Sequence, residues 1–97
     1  MTTKHQEKFL QACKEGDQEL VKSLLDKIKD KDFCSDEGLM PMYMSIESGN
    51  LNLTNFLIDQ GFPLESCNDG LSPLAAAIVS NSIQAIDLLI KKGADVN

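Results

Sequence analysis

Apolar residues recur along this chain at helical spacing, in paired clusters separated by short polar breaks. Phe9, Leu10 and Cys13 share one helical face, and Gly16-Asp17 breaks the pattern. Leu20, Val21, Leu24, Leu25 and Ile28 then mark a second helix over residues 18–27, with Asp17 as its N-cap. Residues 29–37 read as polar and irregular. Pro41 suits the first residue of a third helix, which runs to Ser48 before a turn at Gly49-Asn50. Leu53, Phe56, Leu57 and Ile58 mark a fourth helix, stopped by Gly61 with Pro63 just beyond. Ser72-Pro73 opens a fifth helix, Asn81 turns the chain, and a sixth helix closes at Gly93. Ser72 can cap its helix; Met40, at the corresponding place, cannot.

These pairs are one segment repeated. Gln11-Ala12-Cys13-Lys14-Glu15-Gly16 aligns with Met44-Ser45-Ile46-Glu47-Ser48-Gly49 and with Ala76-Ala77-Ile78-Val79-Ser80-Asn81, so the period is 33 and then 32 residues. Leu20, Leu24 and Leu25 fall in register with Leu53, Leu57 and Ile58, then with Ala85, Leu89 and Ile90. A repeat of this length implies stacked supersecondary units, none able to bury its apolar face alone. The expected fold is all-α, with turns at Gly16, Gly49 and Asn81.

Two stretches carry a family resemblance. Asn68-Asp69-Gly70-Leu71-Ser72-Pro73-Leu74-Ala75-Ala76-Ala77 and Leu88-Leu89-Ile90-Lys91-Lys92-Gly93-Ala94-Asp95-Val96-Asn97 together resemble one ankyrin repeat. The family pattern is D-x-x-G-x-T-P-L-H-x-A, two antiparallel helices, then G-A-D-V-N. Ser replaces Thr and Ala replaces His here. The middle unit is degenerate, with Met40-Pro41-Met42-Tyr43 in place of the T-P-L-H box. The first unit lacks the box and resembles a capping repeat. The resemblance implies an ankyrin-repeat solenoid of helix–turn–helix units with projecting loop fingers. It implies a single domain over 1–97, with repeats near 8–37, 38–69 and 70–97. The missing Thr–His pair makes the second repeat the expected soft unit, so Thr at 40 with His at 43 would be expected to stabilise it. The C-terminal face of the last unit, with Leu74, Ile78 and Leu89 beneath it, has no polar capping repeat. The expectation is a longer array, a covering partner, or self-association through that face.

The chain has 97 residues and a net charge of −6, unevenly spread. All nine basic residues are lysines, and between Asp32 and Ile90 there are eight acids and no base. Nucleic acid and anionic membrane are therefore poor partners, since both need a basic face. No run of 18 apolar residues exists, and the first eight residues do not form a secretory signal. Three cysteines, with Cys34 and Cys67 one repeat apart, read as free thiols. An intracellular location, cytoplasmic or nuclear, is expected.

Candidate chemistry is sparse. His5 is the only histidine, so serine and cysteine triads lack their usual base. Phosphate-binding glycine motifs, H-E-x-x-H and C-x-x-C are absent. Cys13 reads as a buried, inert thiol. Met40, Met42 and Met44 suggest a Cu(I) thioether cluster, but alternate residues of a helix point to different faces, so core packing accounts for them better. Asp30, Asp32, Asp36 and Glu37 lack the calcium-loop pattern and read as a solvated loop. Leu89 with Asp95-Val96-Asn97 resembles the site at which ankyrin repeats are hydroxylated, a match nearly every repeat makes. No catalytic residue, metal or cofactor is expected.

The resemblance thus implies a non-catalytic module that binds another protein. The finger residues carried over are Asp36, Glu37, Leu39, Asn68, Asp69 and Leu71. The inner-helix display positions are Lys14, Glu15, Glu47, Ser48, Val79 and Ser80. This mixture of acids and apolar tips suits a basic segment with an apolar anchor. Alternative readings are binding through the convex side and a role as the targeting or regulatory part of a larger enzyme or effector.

Overall fold

The structure is a computed structural model and describes residues 3–35, 40–64 and 72–93. Six α-helices follow in order: α1 (Lys4–Glu15), α2 (Gln18–Leu24), α3 (Pro41–Ser48), α4 (Leu51–Asp59), α5 (Pro73–Val79) and α6 (Ile83–Lys91). A single 3₁₀ turn, Leu25–Lys27, continues α2 and accounts for the longer helix expected to Lys27. There is no strand among the described residues. The chain pairs α1 with α2, α3 with α4 and α5 with α6, giving three helix–turn–helix units.

One local device builds each unit. A residue just past each inner helix takes the left-handed conformation: Gly16 at φ 71°, Gly49 at φ 84° and Asn81 at φ 55°. Asn tolerates that region better than other non-glycine residues, so it can stand in the third turn. The next residue caps the outer helix. Asp17 accepts from the Leu20 amide at 3.1 Å, Asn50 from Leu53 at 3.3 Å, and Ser82 from Ala85 at 3.2 Å. Sequence dictates these turns through two adjacent residues, one permissive of αL and one bearing a short acceptor.

The inner-helix starts differ. Thr3 and Gln6 form a reciprocal capping box, so α1 begins at Lys4, before the start expected near Lys8. His5 lies in the first turn of α1. Ser72 caps α5 by accepting from Ala75 at 3.0 Å, whereas Met40 makes no side-chain cap for α3. Met40 is instead buried, only 2 % exposed, and Met42 and Tyr43 join it in the core. The degenerate box is thus a packing element: it exchanges a cap for apolar burial.

Units stack with α1 against α3 and α3 against α5, while the outer helices touch less. Closer inner helices curve the stack toward that side. Cys13, Val21, Leu53, Leu57, Ala85 and Leu89 are wholly buried. Ser45 and Thr54 are buried too, and satisfy each other across 3.0 Å while Ser45 donates to the Met42 carbonyl. Between the first two turns, Asn50 Nδ2 donates to the Gly16 carbonyl at 2.9 Å. Gly16 also needs its missing side chain: a Cβ there would lie 3.2 Å from Ser48 Oγ.

The stretch expected to be merely polar after α2 has a structural anchor. Phe33 packs edge-on to Phe9 at 6.2 Å, and Phe9 stacks on Phe62 at 5.3 Å. This aromatic trio pins the ends of the first and second units together.

Candidate functional site

Six of the twelve candidate binding residues are described: Lys14, Glu15, Glu47, Ser48, Val79 and Ser80. They occupy the last turn of α1 and α3 and the end of α5, so the stacking of inner helices brings them into one row. Lys14, Glu47 and Val79 hold the same register position in successive units. All three are exposed, Val79 by 78 %. The row therefore runs from positive to negative to apolar. No ion pair engages Lys14 or Glu47 among the described residues. The other six candidates, Asp36, Glu37, Leu39, Asn68, Asp69 and Leu71, lie outside the described residues.

The neighbouring positions are not equivalent. Glu15 and Ser80 are exposed, with Glu15 accepting from Gln11 at 3.2 Å. Ser48 is half-buried, donates to the Ser45 carbonyl, accepts from the Asn50 amide and packs against Gly16. Its hydroxyl is committed to the turn of its own unit, and its side chain lies against the first turn. Below Glu47, Tyr43 sits one helical turn away in the same helix. Burial raises the Tyr43 phenol pKa, and the Glu47 charge adds to the rise.

Burial pushes the Cys13 thiol up to about 12, so it remains protonated at neutral pH. Among the described residues no three His, Cys, Asp or Glu side chains converge as a metal site. Met40 and Met42 are buried in the core, and Met44 is half-buried against it.

An open groove of about 400 Å³ separates α4 from α6 on the outer side. Leu51 and Leu88 line it with Asn52, Asn55 and Gln84. The corresponding junction between α2 and α4 holds Lys22 over the Phe56 ring at 5.5 Å. Asn55 and Leu88, the equivalents of Lys22 and Phe56, are shorter and leave the space open.

The apolar face expected at the end of the third unit includes Ile78, as expected, and also Ile83 and Ile90, which sequence reasoning did not name for it. Ile78, Ile83 and Ile90 are exposed by 61 %, 77 % and 48 %. Leu89, expected beneath that face, is wholly buried, and Leu74 is half-buried. The signal was present: Ile83, Ile86 and Ile90 form a second apolar stripe on α6, beside the core stripe of Ala85 and Leu89.

No helix among the described residues is long and apolar enough to cross a membrane. Residues 9–97 match the family described as Ankyrin repeats (3 copies). The chain is also similar to the B-cell lymphoma 3 protein homolog of Mus musculus, 27 % identical over 92 residues. That alignment covers 89 % of this chain and 20 % of the mouse protein, so the chain spans about a fifth of this relative's length. Ankyrin repeats are generally protein–protein interaction modules and generally lack catalysis. With three units, three matching turns and that coverage, the chain belongs to the ankyrin repeat family.

Proposed function

We propose that this chain is a non-catalytic module that binds another protein through its concave inner-helix row together with the loop fingers. One observation carries the reading: Lys14, Glu47 and Val79 are in register, exposed and free of ion pairs among the described residues. A partner strand crossing the row meets an unpaired acid next to an apolar tip. The chemistry that fits is a segment with Lys or Arg beside a large apolar side chain. The basic group pairs with Glu47, and the apolar anchor covers Val79. The finger residues Asp36, Glu37 and Asp69 extend the acidic field, while Leu39 and Leu71 extend the apolar contact. Long-range attraction then speeds encounter, and apolar burial sets the dissociation rate.

A peptide-display selection on the 97-residue chain tests this. Selected peptides are expected to combine basic and large apolar residues. Glu47→Lys should slow their association and Val79→Lys should weaken binding about tenfold or more, the effect of losing 1.4 kcal/mol. Peptides that bind both variants like the parent would contradict this site.

A further inference from the structure

The floor of the inner-helix row changes from unit to unit. Leu10, Tyr43 and Ala75 hold one register position, a turn before Lys14, Glu47 and Val79. Leu10 and Tyr43 are 5 % and 7 % exposed, whereas Ala75 ends at its methyl group and is half-buried. Tyr43 forms no side-chain hydrogen bond among the described residues. No buried side-chain oxygen among them lacks a partner, so the phenol ring lies in the core while its oxygen reaches the surface. The oxygen emerges beside Glu47, whose charge acts on it. The i, i+4 spacing places both residues on one face of α3.

The two flanks of this pair differ. Helix α3 packs between α1 and α5. On the α1 side stands Lys14, exposed and repulsive to an arriving cation. On the α5 side stand Ala75 and Val79, both uncharged and apolar. A cation held by Glu47 therefore settles toward α5, against apolar surface. An ammonium is compact and strongly hydrated, and that surface replaces none of its lost water. A guanidinium is planar and more weakly hydrated. Its fork of N–H groups spans two acceptors while its face covers apolar groups.

We infer that Tyr43 and Glu47 together select arginine over lysine in the bound segment, Glu47 supplying the charge and Tyr43 Oη a second acceptor. The inference rests on the row being the binding surface, and names which basic residue that surface takes. The guanidinium donates to the Glu47 carboxylate and to Tyr43 Oη, and its face lies over Ala75 and Val79. Tyr43 thus divides its roles by atom: the ring packs the core and the oxygen reads the partner.

The test compares two ligands on one protein. A basic–apolar peptide from the display selection is made in two forms, with arginine or lysine at its basic position. Both are titrated against the 97-residue chain. The arginine form should bind the parent about tenfold tighter, and Tyr43→Phe, which keeps the buried ring, should cut that ratio to about twofold. Glu47→Gln should weaken both forms. A general loss of stability in Tyr43→Phe would not alter the ratio, because both peptides meet the same folded protein. A ratio near one in the parent, or one that Tyr43→Phe leaves unchanged, would overturn the inference. The row would still stand as the site if Glu47→Gln weakened both peptides. If Glu47→Gln weakened neither, or the selection returned no basic peptide, the row would not be the site and the inference would fall with it.

Discussion

Replacing Met40 by Thr sets two local effects against each other. Thr at this N-cap would accept a hydrogen bond from the third amide of α3, as Ser72 does from Ala75 at 3.0 Å in the next unit. That contact stabilises by about 1 kcal/mol. The Met40 side chain, however, is 2 % exposed and packs in the core with Met42 and Tyr43. Truncation to Thr withdraws roughly two methylene-sized groups, about 1.6 kcal/mol of transfer free energy, before any cavity contribution. Buried Met→Ala changes cost about 2–5 kcal/mol, and Thr refills only part of that volume. A loss of about 2 kcal/mol therefore exceeds the gain, leaving Met40→Thr less stable by about 1 kcal/mol. In a domain of this size that lowers the melting temperature by about 5 °C. Adding Tyr43→His should lower it further, because the buried phenol ring is exchanged for a smaller, polar one. The structure thus reverses the sign expected from the family pattern. Circular dichroism melts and urea titrations of the parent, Met40→Thr and the double variant measure the balance, with Ser72→Ala calibrating the cap. A Met40→Thr midpoint equal to or above the parent's would show that the cap outweighs the packing and refute this reasoning.

Three further outcomes follow from the same structure. Asn50→Ala removes both an N-cap and the bond to the Gly16 carbonyl at 2.9 Å, so it should destabilise by about 2 kcal/mol in urea titrations, against about 1 for Ser82→Ala. Ser45→Ala and Thr54→Ala each leave a buried hydroxyl with poorer bonding; in a double-mutant cycle the second change should cost less than it does alone. The Cys13 thiol is raised from 9.0 to about 12, so the unfolded chain releases this proton first. Its contribution is complete below pH 9 and is lost as pH rises toward 12, at a slope approaching 1.4 kcal/mol per pH unit. Urea midpoints at pH 8 and 10.5 should show that fall in the parent, and a smaller one in Cys13→Ala.

Much of the architecture was legible because the repeat writes the same instruction three times. The αL residue and its neighbouring cap at Gly16-Asp17, Gly49-Asn50 and Asn81-Ser82 are local features, and local chemistry decides them. The core positions Leu53, Leu57, Ala85 and Leu89 followed from helical period alone. What escaped the sequence depends on contacts between units. Phe33 looked like part of a polar loop, yet Phe9 and Phe62 reach it from two units. Ser48 looked like a display residue until the first turn was found packed against it. Met40 looked like a weak cap because its burial is set by neighbouring helices, not by its own. Of the candidate site, the row of Lys14, Glu47 and Val79 could be placed by register, and its exposure is a property of the stack.

The account's central claim is that partners engage the inner-helix row. Amide chemical-shift mapping of the isotopically labelled chain, titrated with a selected basic–apolar peptide, tests it most directly. The prediction is that the largest shifts fall at the ends of α1, α3 and α5, around Lys14, Glu47 and Val79. Shifts confined to α2, α4 and α6, including the groove lined by Leu51 and Leu88, would place binding on the convex side and contradict the claim.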